Sequence, residues 1–120
     1  MNKKTVVIGA SAKEDRYSNR AVRMLKKHGH DVIALGFEPK TIDNIPIETD
    51  WKNIDGVDTV SLYLNPQRQQ EYYSYILSLH PKRIIFNPGT ENPVLEQMAK
   101  NENIKPLEAC TLVLLSTEQY

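Results

Sequence analysis

Short apolar runs alternate along this chain with longer stretches whose apolar positions recur at helical spacing. The first run, Thr5 to Ala10 (TVVIGA), is β-branched and apolar at successive positions. That reads as a parallel strand buried on both faces. A polar segment, Ser11 to Tyr17, follows, and Ser18 or Asn19 can cap the next helix. Ala21, Val22, Met24 and Leu25 then form an apolar stripe. Lys26, Lys27 and His28 suit the negative end of that helix, and Gly29 suits its stop. Asp31 to Gly36 (DVIALG) is a second buried strand, so the chain opens with a βαβ unit.

The pattern between Phe37 and Gly56 is less regular. Pro39 and Pro46 interrupt it, and IPIE is a short extended piece. Asp58 to Leu64 reads as a third strand. Asn65 and Pro66 give a cap followed by a proline at the first helical position. That helix is predicted to run to His80, with Tyr72, Tyr75, Ile76 and Leu79 available for burial. Lys82 to Asn87 is a fourth strand. Asn92 and Pro93 repeat the helix-start signal. Ile104 to Ala109 is a fifth strand, which Pro106 restricts to an edge or an end. The final TLVLLSTEQY is a last helical turn whose apolar residues cover the sheet. Alternating strands and helices predict an α/β domain: doubly wound, with a mainly parallel five-stranded sheet and helices on both faces.

Composition narrows the function classes. With 120 residues, a single domain spanning residues 1–120 is expected. Lys plus Arg and Asp plus Glu are both 15. A net charge of zero argues against a nucleic-acid or membrane footprint. The amino-terminal apolar run is too short for a signal peptide or a membrane span, so a cytoplasmic protein is expected. Cys110 is the only cysteine, which excludes an intrachain disulfide.

Ligands of open α/β sheets bind beyond the carboxyl ends of the strands, where the strand order reverses. Four loops therefore matter: those after Ala10, Gly36, Leu64 and Asn87. In the first, Gly9 permits close backbone approach, Ser11 and Ser18 supply hydroxyls, and Lys13, Arg16 and Arg20 supply positive charge. A helix start behind such a loop favours an anion. In the second loop, Glu38 could hold ribose hydroxyls as in dinucleotide enzymes, whereas Lys40 suits a phosphate on the ribose. In the fourth, Gly89 permits close approach. Each loop could equally be plain capping chemistry. His28, His30 and His80 lie at helix ends without metal-ligand spacing to Cys110. No phosphate-loop lysine motif and no nucleophile elbow occurs, and there is no room for a substrate domain. The residues favour a binding module over an enzyme.

Beyond these signals, the chain resembles the small, single-domain CoA-binding proteins, which are similar to the nucleotide-binding domain of the succinyl-CoA synthetase alpha subunit. The resemblance covers almost the whole length. It rests on VVIGASAKEDRYSNRAVRMLKKHGHDVIAL, on Pro39–Lys40, on FNPGTEN and on the late EAC with its apolar tail. It implies a Rossmann-like fold and CoA or an acyl-CoA as ligand. Gly9, Ser11, Arg16 and Ser18 match the family's first-loop spacing. The resemblance implies that Ser11, Arg16, Ser18 and Asn19 meet the CoA diphosphate. It places Pro39 and Lys40 beside the adenosine, with Lys40 toward the 3′-phosphate, and Gly89 beside the pantetheine arm. Two departures stand out. Glu38 occupies a position where the family commonly has Asn. The domain carrying the synthetase's active-site histidine is missing, so ligase activity does not carry over.

The expectation is thus a non-catalytic CoA-binding domain, a sensor or carrier, in which a homodimer is possible. NAD or another adenine nucleotide is the alternative ligand. A protein-interaction module with a vestigial crevice is the alternative class, with Tyr72, Tyr73 and Tyr75 as its candidate surface. Cys110, just after the last strand, is a candidate for a mixed disulfide with the CoA thiol.

Overall fold

The computed structural model describes residues 2–120. Its strands are β1 (Thr5–Ala10), β2 (Val32–Gly36), β3 (Thr41–Ile42), β4 (Ile45–Glu48), β5 (Thr59–Leu62), β6 (Arg83–Phe86) and β7 (Lys105–Glu108). Its helices are α1 (Tyr17–Lys27), α2 (Pro66–Gln69), α3 (Tyr73–Ser78), α4 (Pro93–Asn101) and α5 (Thr111–Ser116). The strands form one sheet in the order β3-β4-β2-β1-β5-β6-β7. All neighbours are parallel except β3 and β4. The order turns outward in both directions from β1, so the switch point of the sheet lies at the carboxyl end of β1.

The apolar-on-both-faces reading of β1 has a direct cause. Val6 and Ile8 face a core with Leu62, Phe86, Ile76, Leu95 and Ala99. Val7 and Ala10 face the other side, with Val22, Leu25, Ala34, Ile47 and Leu115. Helices α3 and α4 therefore cover one face, and α1 and α5 the other. The α/β, Rossmann-like, doubly wound architecture expected from the sequence is present, and Pro106 indeed lies on an edge strand, with β6 as the sole neighbour of β7.

Three details differ from expectation. The sheet has seven strands rather than five. IPIE becomes β4 and pairs with β2, and Thr41–Ile42 folds back on it as β3. The connection is a two-residue turn with Asp43 and Asn44 at φ 47° and 68°. Both central residues are left-handed, as a type I′ hairpin requires. Second, α1 starts two or three residues earlier than the Ser18 or Asn19 cap predicted, with Arg16 in the capping position and no side-chain cap. Third, the helix expected from Pro66 to His80 is broken. Gln69 is fully buried, and its amide donates to the carbonyls of Leu64 and Thr90, both at 2.8 Å. A 3-10 turn follows over Gln70–Tyr72, and the Tyr72 backbone leaves the helical region at φ −117° and ψ 7°.

Candidate functional site

The loops after β1, β2 and β5 meet at the switch point and enclose a cavity of about 300 Å³. Gly9, Ser11, Lys13 and Arg16 line it from the first loop, Phe37 and Glu38 from the second, and Tyr63, Leu64 and Arg68 from the third. The ladder between β1 and β2 slips at Gly9, where φ is +94°. A Cβ on Gly9 would stand 3.1 Å from the Tyr63 carbonyl carbon and 3.2 Å from Leu64 Cδ2. Only glycine lets the first loop cross this close to β5.

Arg16, the residue before α1, lines this cavity, and the amino end of the helix behind it has polar groups unspent. No side chain caps the helix, and its first turn has no acidic residue. Asn19 and Arg20 donate their amides to the Arg16 carbonyl, at 3.1 and 3.2 Å. The amides of Tyr17 and Ser18 have no protein acceptor among the described residues. Ser11 Oγ accepts the Lys13 amide at 3.2 Å, leaving its own hydrogen available to an incoming acceptor. With the Lys13 and Arg16 side chains alongside, the arrangement suits an anion.

Asn19 builds this site rather than lining it. It is 1% exposed. Its amide donates to the Ser11 carbonyl at 2.9 Å, and its Oδ1 accepts from Arg23 Nε at 2.8 Å. It ties the first loop to the helix behind it. Ser18 is also buried and does not line the cavity.

The remaining predicted residues are spread more widely. Pro39 and Lys40 are exposed and lie outside the cavity lining. Lys40 Nζ pairs with Glu38 at 3.4 Å, and both side chains are 61% exposed. Gly89 lies on the fourth loop, where its amide donates to Glu91 Oε1 at 2.9 Å. Cys110 is half-buried at the start of α5 and does not line the crevice. His28 and His80 are exposed, whereas His30 Nδ1 accepts the Lys3 amide at 2.9 Å. Among the described residues no group of His, Cys, Asp and Glu is arranged to hold a metal, and no helix is long and apolar enough to cross a membrane.

The structure adds Phe37, Tyr63, Leu64 and Arg68 to the site. Arg68 lies over the Phe37 ring, 4.2 Å from its centroid. Phe37 also borders a second cavity of about 350 Å³, lined further by Thr49, Trp51, Tyr72 and Tyr75. Trp51 and Tyr72 stack with centroids 4.5 Å apart, and Trp51 Nε1 donates to the Gly36 carbonyl at 3.1 Å. Tyr63 presents its ring to the crevice while its hydroxyl is buried without a hydrogen-bond partner among the described residues. Burial pushes that hydroxyl's pKa well up, and the neighbouring Cys110 adds to the shift. Sequence reasoning could have reached Phe37, which directly follows β2, and Arg68, which lies in the first turn of the helix after β5. Tyr63 was hidden inside a strand run.

A larger cavity of about 920 Å³ opens at the opposite end of the sheet, between Lys4, Asp31, Asp55, Asp58 and Lys82. Its size is not a guide to ligand binding here. It lies at the amino ends of the strands, without a helix amino end; there Lys4 Nζ donates to the Asp55 backbone carbonyl, and Lys82 pairs with Asp58 at 3.8 Å.

Comparison with known proteins agrees with this geometry. The family described as CoA binding domain matches residues 3–116. A crystal structure of an uncharacterized protein is 46% identical, covers 100% of this chain and 99% of its own, and superposes with a TM-score of 0.97. A hypothetical protein from Pyrococcus horikoshii is 21% identical over 96% of this chain and 82% of its own, with a TM-score of 0.85. A Thermus thermophilus structure is 18% identical over 98% and 91%, with a TM-score of 0.82. The last two share the fold. No curated protein matches the chain.

Proposed function

This chain belongs to the CoA binding domain family, and on that premise we propose that it binds CoA or an acyl-CoA without transforming it, as a sensor or carrier. The carrying observation is the open amino end of α1. Ser11, Lys13 and Arg16 line one cavity, and directly behind Arg16 the Tyr17 and Ser18 amides have no protein acceptor among the described residues. A diphosphate supplies the acceptors and the negative charge that these donors lack. Asn19 holds the loop in shape for it. The aromatic recess beside Phe37 suits a flat base.

Glu38 motivates a second reading. Its carboxylate lines the crevice, where it could accept hydrogen bonds from ribose hydroxyls. An NAD-type ligand fits that contact. The Lys40 partner weakens the case, because it already occupies one side of the carboxylate.

The test is thermal unfolding of the protein with CoA, acetyl-CoA and NAD in parallel. Ligand at a hundredfold excess over its dissociation constant stabilises by about 2.7 kcal/mol, a rise of roughly 10 °C for a domain this size. A rise with CoA and acetyl-CoA exceeding that with NAD supports the proposal. A rise with NAD alone transfers the site to the second reading. No rise with any ligand favours an interaction module instead.

A further inference from the structure

We infer that Arg68, and not Lys40, is the residue that reads the 3′-phosphate of CoA, an inference that rests on the CoA reading of the crevice. Lys40 is poorly placed for that task. It does not line the cavity, and its ammonium is paired with Glu38 at 3.4 Å. A phosphate arriving at Lys40 would also meet the Glu38 carboxylate, and the repulsion would offset much of the attraction.

Arg68 differs on each count. It lines the crevice, and no carboxylate pairs with it among the described residues. The Phe37 ring seats its guanidinium at 4.2 Å, so less side-chain freedom is lost when it binds an anion. Its place in the crevice is also specific. On one side lies the polar cavity of Ser11, Lys13 and Arg16; on the other lies the recess walled by Phe37, Trp51 and Tyr72, which has no charged lining residue. A nucleotide carries its ribose between its diphosphate and its base. A cation at the boundary between a diphosphate cavity and an aromatic recess therefore faces the ribose. In CoA, the ribose bears the phosphate that NAD lacks. Guanidinium binds such a dianion in bidentate fashion, which a lysine does not.

The test is calorimetric titration of the wild type, Arg68→Gln and Lys40→Gln with CoA and with dephospho-CoA. The quantity read is the ratio of the two dissociation constants within each protein. The expected wild-type preference for CoA is about tenfold or more, the scale of one charged hydrogen-bonded contact. Arg68→Gln is expected to bring the ratio close to one by weakening CoA alone, with the dephospho-CoA constant changed less than about twofold. Lys40→Gln is expected to keep most of the preference. A preference that survives Arg68→Gln, or one that disappears in Lys40→Gln, overturns the assignment while leaving CoA binding in place. Equal wild-type affinity for the two ligands also overturns it. Binding of neither ligand to the wild type removes the CoA reading itself and this inference with it. Arg68 is exposed, so its variant folds; matching unfolding midpoints for the three unliganded proteins check this.

Discussion

Two loops of this molecule share a layout and differ in what they leave unsatisfied. The loop between β1 and α1 and the loop between β6 and α4 each follow a buried parallel strand and enter a helix, and each has a glycine at φ +94°, Gly9 near the end of β1 and Gly89 within the second loop. The second is closed. Asn92 Oδ1 accepts the amides of Val94 and Leu95, and Glu96 reaches back to the Asn92 amide. The Asn92 amide group donates to Gln69 Oε1 and Tyr73 Oη, both at 2.8 Å. Glu91 takes the Gly89 amide. The helix after the first loop has no side-chain cap and no acid in its first turn, its Tyr17 and Ser18 amides have no protein acceptor among the described residues, and Lys13 and Arg16 line the adjoining cavity. A loop before a helix becomes an anion site when the chain declines to satisfy its own donors. The same backbone plan thus produces a structural corner in one place and the proposed binding site in the other.

The contrast breaks most visibly at Asn92. Replacing it with Ala leaves two helix amides, the buried Gln69 and the half-buried Tyr73 hydroxyl without this partner, with an expected loss of about 2–3 kcal/mol. The unfolding midpoint should drop by roughly 10 °C, while the CoA dissociation constant of the folded protein changes less than about twofold. Next come the two glycines. Gly89→Ala has open space around the new methyl and pays only for left-handed backbone, about 1–2 kcal/mol. Gly9→Ala adds a methyl 3.1 Å from the Tyr63 carbonyl carbon, so it should destabilise more and also weaken CoA by about tenfold or more. Chemical denaturation of the two variants side by side checks the order.

The first loop should behave in the reverse way to Asn92. Arg16→Gln is expected to weaken CoA about fivefold to tenfold, with an unliganded midpoint that shifts by less than about 2 °C. Glu38→Gln removes an acid from the crevice lining and is expected to tighten CoA by about twofold to threefold. Titration calorimetry reads both.

The smallest effect lies at the other end of the sheet and serves as a control. Burial, with the cationic charges of Lys3 and Arg83, lowers the His30 pKa below its ordinary 6.5. The neutral ring is therefore preferred in the folded protein, where its Nδ1 accepts the Lys3 amide. The unfolded chain takes up the proton first as pH falls. Stability from this group is complete above about pH 6.5 and declines as pH drops through 6.5 toward the lower folded value. His30→Gln should flatten that slope in pH-dependent unfolding, and CoA affinity should not follow it.

Much of the frame was legible because it depends on local signals. β1, β2, β5 and β6 are short apolar runs, and Asn65–Pro66 and Asn92–Pro93 mark true helix starts. The β3–β4 hairpin was not legible, because its Asp43–Asn44 turn lacks the glycine that usually marks a type I′ turn. The break after Gln69 was equally hidden, since it follows from hydrogen bonds to Leu64 and Thr90 that only the folded sheet brings near. The site divides in the same way. Gly9, Ser11, Lys13 and Arg16 are close in sequence and meet in the cavity. Ser18 and Asn19 share the sequence pattern but turn inward with the helical period. Phe37 follows β2 and Arg68 lies in α2 after β5, and their stacking depends on β2 and β5 lying on either side of β1.

The most direct measurement is a titration of isotope-labelled protein with CoA, followed through its backbone amide resonances. The open-loop account predicts the largest shifts from Gly9 to Asn19, with further shifts at Phe37 and Arg68, and little change from Gly89 to Leu95. Dominant shifts in the Gly89 loop, or around Asp31, Asp55 and Lys82 at the amino ends of the strands, would contradict it.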